Sequence, residues 1–345
     1  MKLSFNQIKE LVTGAVRVEE ENGSVRLYRF TKEQEELYKL TNQDFYNKTF
    51  STAGIRLLFK TDSKNLFLKV ITSRSTSRTY FSFDVFVDGK SVGCMDNFSD
   101  AQLPQDYTKA DLPIGEASKS FWLGEGVKTV CVYLPWSVGV EVKEISVDDG
   151  AFVEALKPQK KLLAYGDSIT HGYDALRPSE RYIAKLADML GAEEFNKAIG
   201  GEKFFAKLAK LKDLFVPDYI TVAYGTNDWS KTDEASFMYN CREFYTNIRQ
   251  NYPDAKIFAI TPIWRKDFKE KTEFGAFEKV EENIRSIVKD IENIEVISGF
   301  DFVPKDEKYF ADLRLHPNDE GFRHYFENLS EKVINLGTGQ FLLKN

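Results

Sequence analysis

Residues 161–170 read KLLAYGDSIT, a short apolar-rich run that ends at Tyr165 and is followed at once by Gly166, Asp167 and Ser168. A run of this length bounded by glycine reads as a buried strand. In an open parallel sheet, ligands gather outside the carboxyl ends of the strands, so a hydroxyl in this place stands where chemistry is done.

Downstream, comparable runs recur at 194–199 (EFNKAI), 218–224 (DYITVAY), 255–261 (AKIFAIT) and 294–298 (IEVIS), separated by longer stretches of helical period. That alternation is the signature of a parallel sheet with crossover helices. One helix is legible in detail, with Ser179 as its cap, Ile183, Leu186, Ala187 and Leu190 on one face, and Gly191 at its end. Another follows Asn318-Asp319 and turns Phe322, Phe326 and Leu329 inward.

Upstream the period changes. From Ala53 to Val147 short runs alternate apolar and polar residues, among them GIRLLFKT, NLFLKVIT, YFSFDVFVDGKSVG, KTVCVYL and VEVKEISV. With Asp88-Gly89 as a tight hairpin turn and no helical period between the runs, they argue for an antiparallel β-sandwich of the jelly-roll kind. Residues 1–52 mix a helix with irregular pieces. The change of period falls at ALKPQKK, which gives an expected β-sandwich domain over 1–155 and an α/β domain over 160–345. A length of 345 residues suits two cores better than one.

Composition excludes several classes. With 42% apolar and 29% charged residues and a net charge of −6, the chain has the make-up of a globular protein and no basic stripe for nucleic acid. No stretch approaches the roughly 20 apolar residues that span a bilayer, and the charged N-terminus lacks the pattern of a secretion signal, so the expected location is the cytoplasm with no membrane partner. Cys94, Cys131 and Cys241 have neither metal-ligand nor disulfide spacing and read as buried free thiols. No dinucleotide fingerprint, phosphate-binding loop or zinc-protease motif occurs, so neither cofactor nor metal is implied. Self-association is left open.

Four blocks follow the expected strands: Gly166-Asp167-Ser168, Gly200-Gly201-Glu202, Gly225-Thr226-Asn227-Asp228, and Asp312-Leu313-Arg314-Leu315-His316 before the final helix. Together they put a hydroxyl, an imidazole, an acid and several hydrogen-bond donors on one sheet edge, the set that acyl transfer needs. A serine needs a base to become a nucleophile; an oxyanion needs donors, here the Ser168 N–H, a glycine N–H and the Asn227 amide. Each block also has an ordinary reading: Ser168 as a helix cap, Asn227 as a turn former, the glycines as turn residues, and Asp228 as a local hydrogen-bonding group. Of the other histidines, His171 reads as a loop residue and His324 as a helix-surface residue. Trp229 is either core or a wall for a small acyl group or sugar ring, and Tyr173 and Arg177 are candidates for the entrance.

The four blocks in this order resemble the SGNH or GDSL hydrolases over about residues 160–335, and the β-rich half is similar to the jelly-roll domain of the two-domain carbohydrate esterases of that family. The resemblance implies a flavodoxin-like parallel sheet with helices on both faces, Ser168 as nucleophile, His316 as base, and Gly201 with Asn227 as oxyanion donors. It departs at one point. The family places its acid three residues before the histidine, where this chain has Leu313, and Asp312 lies four before. Either the loop bulges to bring Asp312 round, or a backbone carbonyl holds the imidazole and the site is a dyad.

The expected activity is therefore hydrolysis of small acyl esters, O-acetyl groups on a sugar or oligosaccharide foremost. A lipid- or thioester-directed acylhydrolase is the near alternative. A catalytically idle carbohydrate-binding protein is the alternative from another class.

Overall fold

The computed structural model describes residues 1–336, so residues 337–345 of the expected second unit lie outside the described residues. Two antiparallel sheets make up the N-terminal part. One has the order Val12–Thr13, Arg56–Thr61, Lys128–Tyr133, Ser82–Val87, Lys90–Asp96, with Val153–Ala155 also paired to Arg56–Thr61. The other runs Arg17–Glu21, Ser24–Tyr28, Val138–Val147, Asn65–Arg74, Glu116–Trp122. Alternation decides which side chains turn inward: Leu57 and Phe59, Leu66, Leu68 and Val70, and Val130 and Val132 share one buried cluster. Asp88 and Gly89 both take positive φ (47° and 77°), the backbone a two-residue hairpin requires.

The parallel sheet has five strands in the order Ala192–Asn196, Lys160–Gly166, Tyr219–Ala223, Lys256–Ile260, Ile294–Ile297. Its three inner strands are buried on both faces, and the period of two divides each between two cores. Leu162 and Ala164 pack toward the helices Tyr182–Leu190 and Asp319–Asn335. Leu163 and Tyr165 pack toward Glu234–Asn251 and Lys279–Val288. The order reverses on either side of Lys160–Gly166, which opens a crevice beyond its carboxyl end. No helix among the described residues is long and apolar enough to cross a membrane.

Four expectations need correction. Ser179 does not cap the helix: its hydroxyl and N–H both go to Asp84 Oδ2, at 2.7 and 3.1 Å, and the helix starts at Tyr182 with Arg181 at its cap position. Ser179 lies inside the 3-10 turn Pro178–Glu180 and so falls short of the cap position. The strand expected at 194–199 is Ala192–Asn196, because the chain must leave the sheet before its glycine turn. Residues 1–52 are not irregular. They hold the helix Phe5–Leu11, the hairpin Arg17–Glu21 with Ser24–Tyr28, and the helices Lys32–Thr41 and Gln43–Lys48. Asn22-Gly23 at the hairpin tip, with φ of 50° and 70°, was the readable signal. Of the cysteines, only Cys241 is fully buried.

Arg29 ties the N-terminal segment to the end of Ala192–Asn196. Its buried guanidinium donates to the carbonyls of Lys48, Ser51, Asn196 and Ala198 and to Ser51 Oγ. Replacing it by methionine strands several buried acceptors at once. Arg29→Met is expected to lower the unfolding free energy by about 3 kcal/mol in urea titration; a loss under about 1 kcal/mol would mean that the carbonyls find other partners.

Candidate active site

Ser168 opens the short helix Ser168–His171 directly after Lys160–Gly166. Capping falls to Asp167, whose Oδ1 accepts the Ile169 N–H at 3.0 Å, so the Ser168 hydroxyl is left for other work. It lies 2.9 Å from His316 Nε2. At the first helical position the Ser168 N–H has no partner within the helix and faces outward from its N-terminus.

The loop before His316 does bulge. Leu313 takes φ 56°, in the left-handed region, and this folds Asp312 back under the histidine. Asp312 Oδ1 accepts the N–H groups of Arg314, Leu315 and His316 at 2.9, 2.7 and 3.0 Å, while Oδ2 lies 2.9 Å from His316 Nδ1. The imidazole is held by a carboxylate.

A second carboxylate reaches the same nitrogen. Asp174 Oδ2 is 3.1 Å from His316 Nδ1, and Asp174 is fully buried. Arg78 grips it with both arms, Nε to Oδ1 at 2.7 Å and Nη2 to Oδ2 at 3.1 Å, and Tyr80 donates its hydroxyl to Oδ1. Two acceptors on Nδ1 fix the tautomer in which Nδ1 carries the proton and Nε2 accepts from Ser168. Burial opposes the imidazolium, but the hydrogen bonds and charges of Asp174 and Asp312 outweigh it and raise His316 to about 9. Burial likewise works to raise the Asp174 carboxyl, and His316 and Arg78 overcome it and leave it below its ordinary range. Asp312 is lowered in the same way by His316 and the loop N–H groups.

Asp174, Asp312 and His316 also place one potential metal-ligand atom each within 4.8 Å of one another. The guanidinium already on Asp174 repels a second cation, so this donor set fits an imidazolium better than a metal ion.

Opposite the histidine, Gly200 and Gly201 form a turn. A Cβ on Gly200 would strike the Tyr173 ring at 2.4 Å, and Gly201 has φ 90°, so the two glycines are required for different reasons. The turn is pinned from outside: Gly200 N–H donates to His171 Nδ1 at 3.2 Å and its carbonyl accepts from Lys48 Nζ at 2.9 Å. Among the described residues nothing accepts the Gly201 N–H. Asn227, in the helix Thr226–Lys231, donates one amide hydrogen to the Glu202 carbonyl at 3.1 Å, which leaves the other free. Ser168, Gly201, Asn227 and His316 all line one cleft of about 430 Å³, together with Tyr173.

Other expected entrance residues lie elsewhere. Trp229 is buried against Phe277, with its indole N–H on the Gly275 carbonyl, because an aromatic of this size after the helix start falls into the core. Arg177 is drawn away to Asp96 and Ser82 in the antiparallel part. His171 is internal, its Nε2 2.8 Å from Ser51 Oγ and 3.1 Å from the Trp136 carbonyl, and burial with repulsion from Arg29 and Lys48 keeps it neutral. His324 packs half-buried on the Tyr309 ring. Asp228 is buried and accepts the Phe204 N–H. Sequence reasoning missed Asp174, although it follows Tyr173 directly; no spacing connects it to a histidine in a distant block.

Residues 164–324 match the family model described as GDSL-like Lipase/Acylhydrolase family. No curated protein matches the chain in sequence. Among solved structures, a salicylyl-acyltransferase from a tetracycline biosynthetic pathway superposes with a TM-score of 0.78 at 20% identity, covering 94% of this chain and 94% of that one. A family two carbohydrate esterase from Clostridium thermocellum in complex with cellohexaose gives 0.66 at 16% identity, covering 95% of this chain and 100% of that one. An acetyl xylan esterase from the rumen bacterium Butyrivibrio proteoclasticus gives 0.65 at 14% identity, covering 99% of each. At these identities the likeness is one of fold, and it extends to both the antiparallel and the parallel sheets. The family match lies over the parallel-sheet part: residues 164–324 carry a GDSL-like lipase/acylhydrolase domain, and this domain together with the esterases of like fold supports a carboxylic ester hydrolase.

Proposed function

We propose that the protein is a serine esterase that removes small acyl groups, O-acetyl foremost, from a sugar or oligosaccharide. The observation that carries this reading is the line of hydrogen bonds from Ser168 Oγ through His316 to Asp312 and Asp174. In the first step Ser168 Oγ attacks the ester carbonyl carbon while His316 Nε2 takes its proton. The Ser168 and Gly201 N–H groups and the free Asn227 amide hydrogen receive the oxyanion. Asp312 and Asp174 stabilise the imidazolium, which then protonates the departing alcohol. Water, activated by the same imidazole, hydrolyses the acyl-enzyme.

Around Ser168 the cleft wall is mainly polar, with Tyr173 and Leu315 as its larger apolar members, which suits a short acyl group better than a lipid chain. An acetyl xylan esterase and a cellohexaose-bound carbohydrate esterase among the structures of like fold support a sugar as the alcohol. In this reading residues from 160 onward form the catalytic unit, and residues 1–155 form a β-sandwich unit packed on it that supplies Arg78 to the site.

The test is a nitrophenyl ester series from acetate to decanoate. Turnover should be confined to the short esters and absent in Ser168→Ala with its fold intact; undiminished turnover in that variant would remove Ser168 from the chemistry. Asn227→Ala should lower kcat by about a hundredfold with little change in KM, as for a donor engaged in the transition state. An unaltered kcat would take Asn227 out of the oxyanion hole.

The pH profile follows from His316, which must be neutral to accept a proton and is raised to about 9. The acid limb of kcat/KM should therefore have its midpoint near pH 9, with activity rising above it. In Asp174→Asn one of the two charges that favour the imidazolium is gone, so the midpoint should shift to lower pH and the plateau rate should fall. A midpoint that stays in place would show that Asp174 does not act on the imidazole.

A further inference from the structure

Five cationic side chains line the active-site cleft, Lys48, Arg78, Lys231, Arg265 and Arg314, and the lining has one acid, Asp267. Three of the five are committed to neighbours. Arg78 holds both oxygens of Asp174. Lys48 lies between Asp44 and the Gly200 carbonyl. Arg265 pairs through Nε and Nη2 with Asp267, at 2.6 and 2.8 Å, and turns Nη1 to Thr226.

The other two are not neutralised. Arg314 reaches the Asp267 Oδ2 that Arg265 already holds, at 2.9 Å, so two guanidiniums share one carboxylate. The Lys231 ammonium has Asn227 Oδ1 at 3.3 Å and, among the described residues, no carboxylate within ion-pair distance. Both side chains are exposed. Partial desolvation by the cleft walls lowers the Lys231 ammonium, and Lys48, Lys203 and Arg265 add to this against the pull of Asp167, a sign of like charges gathered in one place. This excess stands in a chain whose net charge is −6, so it is a property of the cleft and not of the whole surface. A concave site lined by one sign of charge concentrates ligands of the other.

We infer that the ester this cleft selects carries a carboxylate, on its alcohol or its acyl part, received by Lys231 and Arg314. The inference rests on the esterase reading of Ser168 and His316 and adds the substrate's charge to it. A neutral sugar acetate leaves both cations in water, whereas a carboxylate fills the gap left by the shared Asp267.

The test uses two matched pairs at low salt. For the alcohol part, acetylated methyl glucuronoside is compared with acetylated methyl glucoside, which differ only in a carboxylate for a hydroxymethyl group. For the acyl part, the nitrophenyl monoester of succinic acid is compared with nitrophenyl valerate. In one pair the anionic member should have kcat/KM at least about tenfold higher, the factor that about 1.4 kcal/mol supplies, and the preference should shrink as salt is raised. Lys231→Met and Arg314→Met should each reduce that ratio, while Lys210→Met, a charge removed from outside the cleft, should leave it in place. Equal or inverted preference in both pairs, with Ser168-dependent turnover present, overturns the anion subsite and leaves the esterase reading standing. If no ester turns over in a Ser168-dependent way, the esterase reading fails. Calorimetry with glucuronate and with succinate then decides the subsite alone: binding of either that is lost in Lys231→Met supports it, and no binding of both overturns it.

Discussion

One N–H group, that of His316 Nδ1, faces two carboxylates at 2.9 and 3.1 Å, and most of the site's architecture serves to make that arrangement tolerable. Two buried like charges sharing a proton donor repel, and neither would stay ionised without its own compensation. Asp312 has it from backbone N–H groups gathered by the bulge at Leu313, Asp174 from Arg78 and Tyr80. Each carboxylate is therefore satisfied before the histidine is counted, and the histidine gains from both. In the proposed mechanism the cost is a base that holds its proton tightly, and the gain is an imidazolium that is already stabilised when Ser168 gives up its proton.

The opposite wall of the cleft uses groups that give up their charge. Burial lifts Glu202 to about 8, and it accepts hydroxyls from Tyr38 and Tyr224 while its own carbonyl fixes the Asn227 amide. His171 is kept neutral and accepts the Gly200 N–H, which a protonated imidazole is unable to do. The wall proposed to receive the oxyanion is thus positioned by neutral hydrogen bonds from Glu202 and His171 together with the Lys48 ammonium on the Gly200 carbonyl. The net charge near Ser168 is left to the histidine pair and the cleft cations.

Much of this was legible in the sequence because it depends on local order. The parallel strands appeared as apolar runs, the Asp88-Gly89 turn as a dipeptide that reaches positive φ, and Ser168, Asn227 and His316 as polar residues placed after strands. What was hidden depends on competition between layers. Ser179 looks like a cap until Asp84 is brought against it from the sandwich. Trp229 reads equally as cleft wall and as core until the fold packs its indole on Phe277. Asp174 has no sequence link to His316, and only the fold sets them together. The spacing from Asp312 to His316 was a real irregularity, and its resolution needed a left-handed Leu313, which composition does not announce because leucine rarely pays that strain.

Strain and clamping point to the same conclusion about the antiparallel half. Asp174 itself has φ 73°, so both residues that put a carboxylate on His316 depend on a left-handed non-glycine position in their loops, each costing about 1–2 kcal/mol. For Asp174 the opposing contacts come from the sandwich part. Arg78 and Tyr80 hold its carboxylate, Tyr107 donates to its carbonyl, and the Trp136 indole N–H donates to the next carbonyl, that of Ala175. The parallel sheet by itself places Ser168 at a strand end and His316 before a helix. The loop that carries Asp174 keeps its strained shape because the sandwich is packed on it, so the antiparallel part belongs to the active site in the same physical sense as the residues that line the cleft.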